Sequence, residues 1–314
     1  MKIPFLKKPL SIILLAVLIS LLGVMSLSFI GMIIYALLYD SHLFSNLSFY
    51  LSADYSQSSI VLFTKFIQIF QSIGLFILPP FVIAYFARTN VFSGLSLNKY
   101  PRLYLLILAG LVMVFAMPLI DVMSEFNSKM VLPEALSWLE QWMRQSEENA
   151  LEITKVFLNV SSISGLVLNL FMIAIIPAIG EELMFRGFIQ NFIAKRLNIH
   201  IAIFISAFIF SAIHMQFFGF LPRLAMGMFF GYLLHWSGSL WLPIFAHFVN
   251  NAVAVIITYK FGVENMSSEN IVDDKTSYLY LVISSLFITA SMLYTIYRFS
   301  NFNDIDEKTT TSSL

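Results

Sequence analysis

Three stretches of this 314-residue chain place ionisable or amide side chains inside long apolar runs. The first is Pro177-Ala-Ile-Gly-Glu181-Glu182-Leu-Met-Phe-Arg186-Gly-Phe. The second is Phe210-Ser-Ala-Ile-His214, and the third is Phe245-Ala-His247-Phe-Val-Asn-Asn251. An ionisable group at membrane depth costs on the order of 2.5–3.5 kcal/mol even on insertion scales, so such groups are functional candidates by default. Helical geometry divides their roles. Glu182 and Arg186 are i,i+4 with the acid first, the favourable order for an ion pair. Glu181 projects about 100° away from Glu182 on a 3.6-residue helix and is free to face another partner. His247 and Asn251 are also i,i+4 and share a face. One carboxylate and two imidazoles in an apolar interior suit the activation of water for amide hydrolysis. Either His214, His247 and Glu181 hold a Zn2+ ion whose water a carboxylate activates, or Glu181 and a histidine act directly while other polar groups steady the oxyanion. In the zinc version the third ligand is Glu181 or Glu182, which removes one of them from the role given above.

These groups must be positioned by a membrane chain. The hydrophobic fraction is 59% and the charged fraction 11%, with 32 Phe, against roughly 45–50% and about 25% in soluble domains. A soluble enzyme, a disordered chain and a coiled coil are excluded. Lys+Arg and Asp+Glu are both 18, so no bulk field recruits nucleic acid. The absence of Cys removes disulfides, thiolate nucleophiles and Cys-ligated metals. The fold class is all-α and polytopic.

Eight runs reach or approach the roughly 20 apolar residues a span needs: 9–38, 60–87, 103–122, 163–194, 199–216, 221–236, 240–258 and 277–297. The first follows Lys2, Lys7 and Lys8 but is too long for a signal-peptide core, so it reads as a retained span. With the N-terminus inside, the inner segments hold ten Lys and Arg in 53 residues and the outer ones six in 85. Both termini are therefore predicted to be cytoplasmic. Three parts follow: three spans and an outer loop in 1–162, a motif-bearing five-span core in 163–299, and a disordered tail in 300–314. In the outer loop, Pro133 is placed in a first helical turn. Leu136, Leu139, Trp142 and Met143 then recur at helical spacing. This predicts an amphipathic helix on the outer membrane surface, with a lid over a site as the alternative.

Depth is a consistency check. Glu181 lies 17 residues before the turn at Asn198 and His214 lies 16 after it, so both sit about 25 Å from that turn. His247 is nine residues past Gly238, about 13 Å of rise, and reaches the same level only on a displaced or tilted helix. Gly227-x-x-x-Gly231 predicts a close helix crossing. Arg223 reads as snorkelling at a span end. His42, His200 and His235 fall near span ends and carry no assigned role.

Glu181-Glu182-x-x-x-Arg186, Phe210-x-x-x-His214, and the stretch from Gly227 through Ser237-Gly-Ser-Leu-Trp241 to His247-x-x-x-Asn251 resemble the three motifs of a known family. It is the CAAX protease and bacteriocin-processing (CPBP) group of intramembrane proteases, which includes the eukaryotic CAAX prenyl endopeptidases. The resemblance covers residues 180–251. It implies an eight-helix membrane core and a catalytic site within the bilayer. It also implies proteolysis, in the eukaryotic members near the C-terminus of a lipidated or membrane-associated protein, with Glu181, His214, His247 and Asn251 catalytic and Glu182, Arg186 and Phe210 supporting them. The expected partners are membrane lipids and a peptide or protein substrate. The expected location is a bacterial plasma membrane or the endoplasmic reticulum. Two rival classes are weighed. A catalytically silent immunity or scaffold protein would bind a peptide or partner in the same cavity. A transporter would be expected to show paired halves with matching broken helices, and here all the candidate residues fall in the second half.

Overall fold

Apolar runs without breakers become long helices, and proline decides where they bend. The computed structural model describes residues 9–87, 90–262 and 275–311. We number its longer helices α1 (Pro9–Leu38), α2 (Ser58–Phe86), α3 (Leu103–Phe115), α4 (Met117–Ser128), α5 (Ser137–Leu158), α6 (Ile163–Ala194), α7 (Ile199–Ala212), α8 (Phe220–Ser237), α9 (Trp241–Phe261) and α10 (Lys275–Thr311). There is no strand among the described residues. Among the described residues, six helices are long and apolar enough to cross a membrane, and the bent pair α3–α4 makes a seventh if it is one span. The shorter apolar helix α7 accounts for the remaining predicted run. The chain is a polytopic all-helical membrane protein. Lys2, Lys7, Lys8 and Arg88, which weigh in the charge count, lie outside the described residues.

Three runs differ from expectation. The run 103–122 is not straight: α3 and α4 meet at 44°, because Pro118 lacks an N–H and crowds the preceding turn. The Ser285 hydroxyl on α10 donates to the Phe115 carbonyl beside this bend at 2.5 Å. The run 199–216 stops early, since α7 ends at Ala212. Finally, α10 continues to Thr311, past the point where the sequence predicts disorder. The chain has no Pro or Gly after Gly262 to end it.

Proline also shapes α2 and α6. Pro79 cannot donate to the Leu75 carbonyl, four residues before it. The Ser20 hydroxyl of α1 donates to that oxygen instead, at 3.3 Å. Just upstream, Ile73–Ile77 widens into a π-helical turn, and there Gly74 meets Gly23 of α1. A Cβ on Gly23 would lie 2.6 Å from the Gly74 oxygen, so only glycine allows this approach.

The segment 129–162 forms helix α5, which begins at Ser137 after a 3-10 turn over Glu134–Leu136. Pro133 therefore precedes the helix rather than opening it. Trp138 and Leu151 are exposed, but the helix is not confined to a surface role. Trp142 packs on Phe217, ring centroids 5.3 Å apart, and Arg144 lies over Phe218.

Candidate active site

Helix α6 carries the first motif in an unusual winding. Residues Leu170–Ile175 and Glu182–Gln190 are π-helical, a geometry frequent at functional sites. Pro177 lies between them and cannot donate to the carbonyl of Ile173. The Asn251 amide of α9 donates to that oxygen at 3.0 Å, and its own side-chain oxygen accepts from Asn250 Nδ2 at 3.0 Å. Asn251 thus fastens α9 to the proline-interrupted turn two turns before Glu181.

The depth mismatch of His247 resolves through tertiary structure. The Gly238 turn is recessed rather than placed at the surface. Leu240 N–H donates to Ser96 O at 2.9 Å, Ser239 Oγ to Lys99 O at 2.6 Å, and Trp241 Nε1 to Leu97 O at 3.0 Å. Leu95, Leu97 and Leu240 then pack with Leu183, one residue past Glu182. This places the start of α9 deep against α6 and brings His247 to the level of the two glutamates.

There the side chains converge. Glu182 and Arg186 are fully buried and paired, Nη1 to Oε1 at 2.8 Å. Arg186 Nη2 donates to the Gly227 carbonyl at 3.0 Å, and its guanidinium lies between the rings of Phe210 and Phe230. One turn on, Gln190 Nε2 donates to the Gly231 carbonyl at 3.1 Å. The two glycines permit this closeness: a Cβ on Gly227 would meet Ala207 at 2.9 Å, and one on Gly231 would meet Gln190 at 2.7 Å. The predicted close crossing is present, and it also offers two backbone acceptors to Arg186 and Gln190.

His247 is buried and stacked on Phe230, with centroids 5.0 Å apart and planes 16° apart. Its Nδ1 lies 2.9 Å from Glu182 Oε1. A carboxylate accepts there, so Nδ1 carries the proton and Nε2 is the working nitrogen. Nε2 lies 3.8 Å from Glu181 Oε2, close enough for one water to hydrogen-bond both. His214 lies past the end of α7. Its Nδ1 is 2.7 Å from the Phe210 carbonyl, and its ring meets the Phe210 ring edge-on. A carbonyl only accepts, so His214 also keeps its proton on Nδ1 and offers Nε2. Phe210 touches both imidazoles, at ring separations of 5.0 Å and 6.1 Å.

The structure therefore brings Glu181, Glu182, Arg186, Phe210 and His247 into direct contact, with His214 joined through Phe210. Asn251 meets the α6 backbone instead of the carboxylates. Arg223 does not snorkel outward; it folds onto Gln216, Nη2 to Oε1 at 2.7 Å. As for zinc, the Nδ1 contacts leave both Nε2 atoms available as ligands, but among the described residues no group of three His, Cys, Asp or Glu side chains is arranged to hold a metal ion. Sequence reasoning missed Gln190, Phe230 and the recessed turn. It also passed over Lys65, a lysine in the run 60–87 that is buried against the Phe157 carbonyl and Asn169.

Comparison with known proteins bears on the same segment. A family model described as Type II CAAX prenyl endopeptidase Rce1-like matches residues 163–253. Two curated proteins of Bacillus subtilis (strain 168) are similar. "Putative membrane peptidase YdiL" is 29% identical over 137 residues, covering 44% of this chain and 53% of that protein. "Uncharacterized protein YpbD" is 28% identical over 89 residues, covering 27% and 43%. The chain thus spans about half the length of the curated relatives it matches. No solved structure matches it. The likeness read from the three motifs is borne out over residues 163–253, the part of this chain that matches the type II CAAX prenyl endopeptidase Rce1-like family.

Proposed function

We propose that this chain is an intramembrane endopeptidase that hydrolyses a peptide bond in a membrane-associated or lipidated protein. The observation that carries the reading is the position of Glu181, a buried carboxylate facing Nε2 of His247 across 3.8 Å while Glu182 is held by Arg186. In this reading Glu181 takes a proton from a water as the water oxygen attacks the carbonyl carbon. The Nε2 lone pair of His247 accepts the water's second hydrogen and orients its oxygen toward that carbon. Collapse breaks the C–N bond, and the proton returns from Glu181 to the departing amine. His247 is oriented by Glu182, and His214 supplies the second imidazole. The lipidated class draws support from an apolar cleft of about 470 Å³ lined by Ile175, Ala178, Ile179, Ile244, Phe245 and Phe248, which flank Glu181 and His247 in sequence. Both termini are proposed to be cytoplasmic. The test is reconstitution in liposomes with a peptide library offered with and without a C-terminal lipid, cleavage being read by mass spectrometry. Sequence-specific products lost in Glu181→Gln support the reading, whereas binding without cleavage indicates a silent receptor.

A further inference from the structure

Helix α7 has 14 residues, about 21 Å against an apolar thickness of about 30 Å. The chain therefore leaves helix within the membrane and does not resume a long helix until Phe220. His214 stands in this break, and the next residue, Met215, has a φ of 55°, a left-handed conformation that side chains disfavour. Non-helical backbone at membrane depth is tolerated only where protein satisfies it.

Here the partners come from far away in sequence. Asn127, buried at the end of α4, donates from Nδ2 to the Phe217 carbonyl at 2.8 Å and accepts the Leu221 N–H on Oδ1 at 2.8 Å. Glu147 of α5 accepts the Phe218 N–H at 3.1 Å. Ser211 and Arg223 complete the set through the carbonyls of Phe220 and Gln216. Helix α5 is itself fastened at its other end, where the buried Lys65 and Asn169 both donate to the Phe157 carbonyl, at 2.7 Å and 2.8 Å.

We infer that the α4–α5 segment is a strap that positions His214, with Asn127 and Glu147 as its positioning residues. The inference rests on the reading of His214 as a working imidazole. Neither residue touches the reacting groups. Each fixes the loop backbone from which His214 projects.

The test uses the full chain in nanodiscs and two readouts. The first is the rate at which diethyl pyrocarbonate modifies His214, read by peptide mass spectrometry and independent of any substrate. Glu147→Ala and Asn127→Ala should speed modification about fivefold, the factor that one lost hydrogen bond gives. Glu147→Gln keeps an acceptor oxygen and should restore the wild-type rate. Glu148→Ala, on the neighbouring residue, should leave it unchanged. The second readout is cleavage of the reconstitution peptides, where Glu147→Ala should lower kcat with little change in KM and Glu147→Gln should rescue it. If wild type cleaves and both alanine variants match it in modification rate and kcat, the strap has no positioning role. If His214→Ala and Glu181→Gln cleave normally while the modification rates shift as expected, the assignment of Glu181 and His214 as working groups fails, while the strap's hold on His214 stands.

Discussion

Glu182 accepts the Nδ1 proton of His247 at 2.9 Å, through the same carboxylate oxygen that holds Arg186. The acid that looked purely structural is therefore also the residue that sets the tautomer and orientation of an imidazole, much as a carboxylate behind a histidine does in other sites. It leaves Glu181 as the carboxylate that faces Nε2.

Removing Arg186 takes away the counter-charge of that shared oxygen. Arg186→Ala is expected to cost about 3–5 kcal/mol, the usual loss when one member of a buried ion pair is deleted. Thermal unfolding in detergent should show the drop, together with poor expression. Normal stability with total loss of cleavage would instead place Arg186 against substrate.

Asn251 closes a carbonyl that Pro177 cannot serve. Asn251→Ala leaves that partly buried oxygen without its amide, an expected loss of about 1–3 kcal/mol. Activity should fall in step with stability as α9 loosens from α6. Complete inactivation at unchanged melting temperature would show that the amide contacts substrate.

Part of this site was legible in the sequence and part was not. The Glu182–Arg186 pair follows from i,i+4 spacing, and Gly227 with Gly231 announces a close crossing. His247 reaching Glu182 was not legible, because the recessed Gly238 turn depends on residues 96–99, about 140 positions away. Asn127 and Glu147 were hidden for the same reason: their partners lie 90 and 71 residues on. Lys65 was different, since a lysine inside an apolar run is visible by inspection and was overlooked beside the denser motif region.

The donor geometry makes a prediction about metal. With no three-ligand group among the described residues, a membrane-permeable chelator should leave cleavage intact. Metal analysis of active protein should give well under one zinc per chain. Activity that vanishes with chelator and returns with zinc would require the site to rearrange around the ion.

Topology is checked separately. A reporter fused after Leu314 should be cytoplasmic if the Lys and Arg bias sets the orientation. A periplasmic or lumenal reporter reverses the orientation of every helix and places α5 on the inner side.

The central claim is that Glu181 activates water. Glu181→Gln preserves shape and hydrogen-bonding capacity while removing the base, so the protein should fold and bind normally. The decisive measurement is the cleavage rate of one identified peptide by reconstituted wild type and Glu181→Gln, with thermal stability recorded on the same samples. The account predicts equal stability within about 1 kcal/mol and a rate reduced by at least about 10²–10⁴-fold. Wild-type cleavage by the glutamine variant would contradict it.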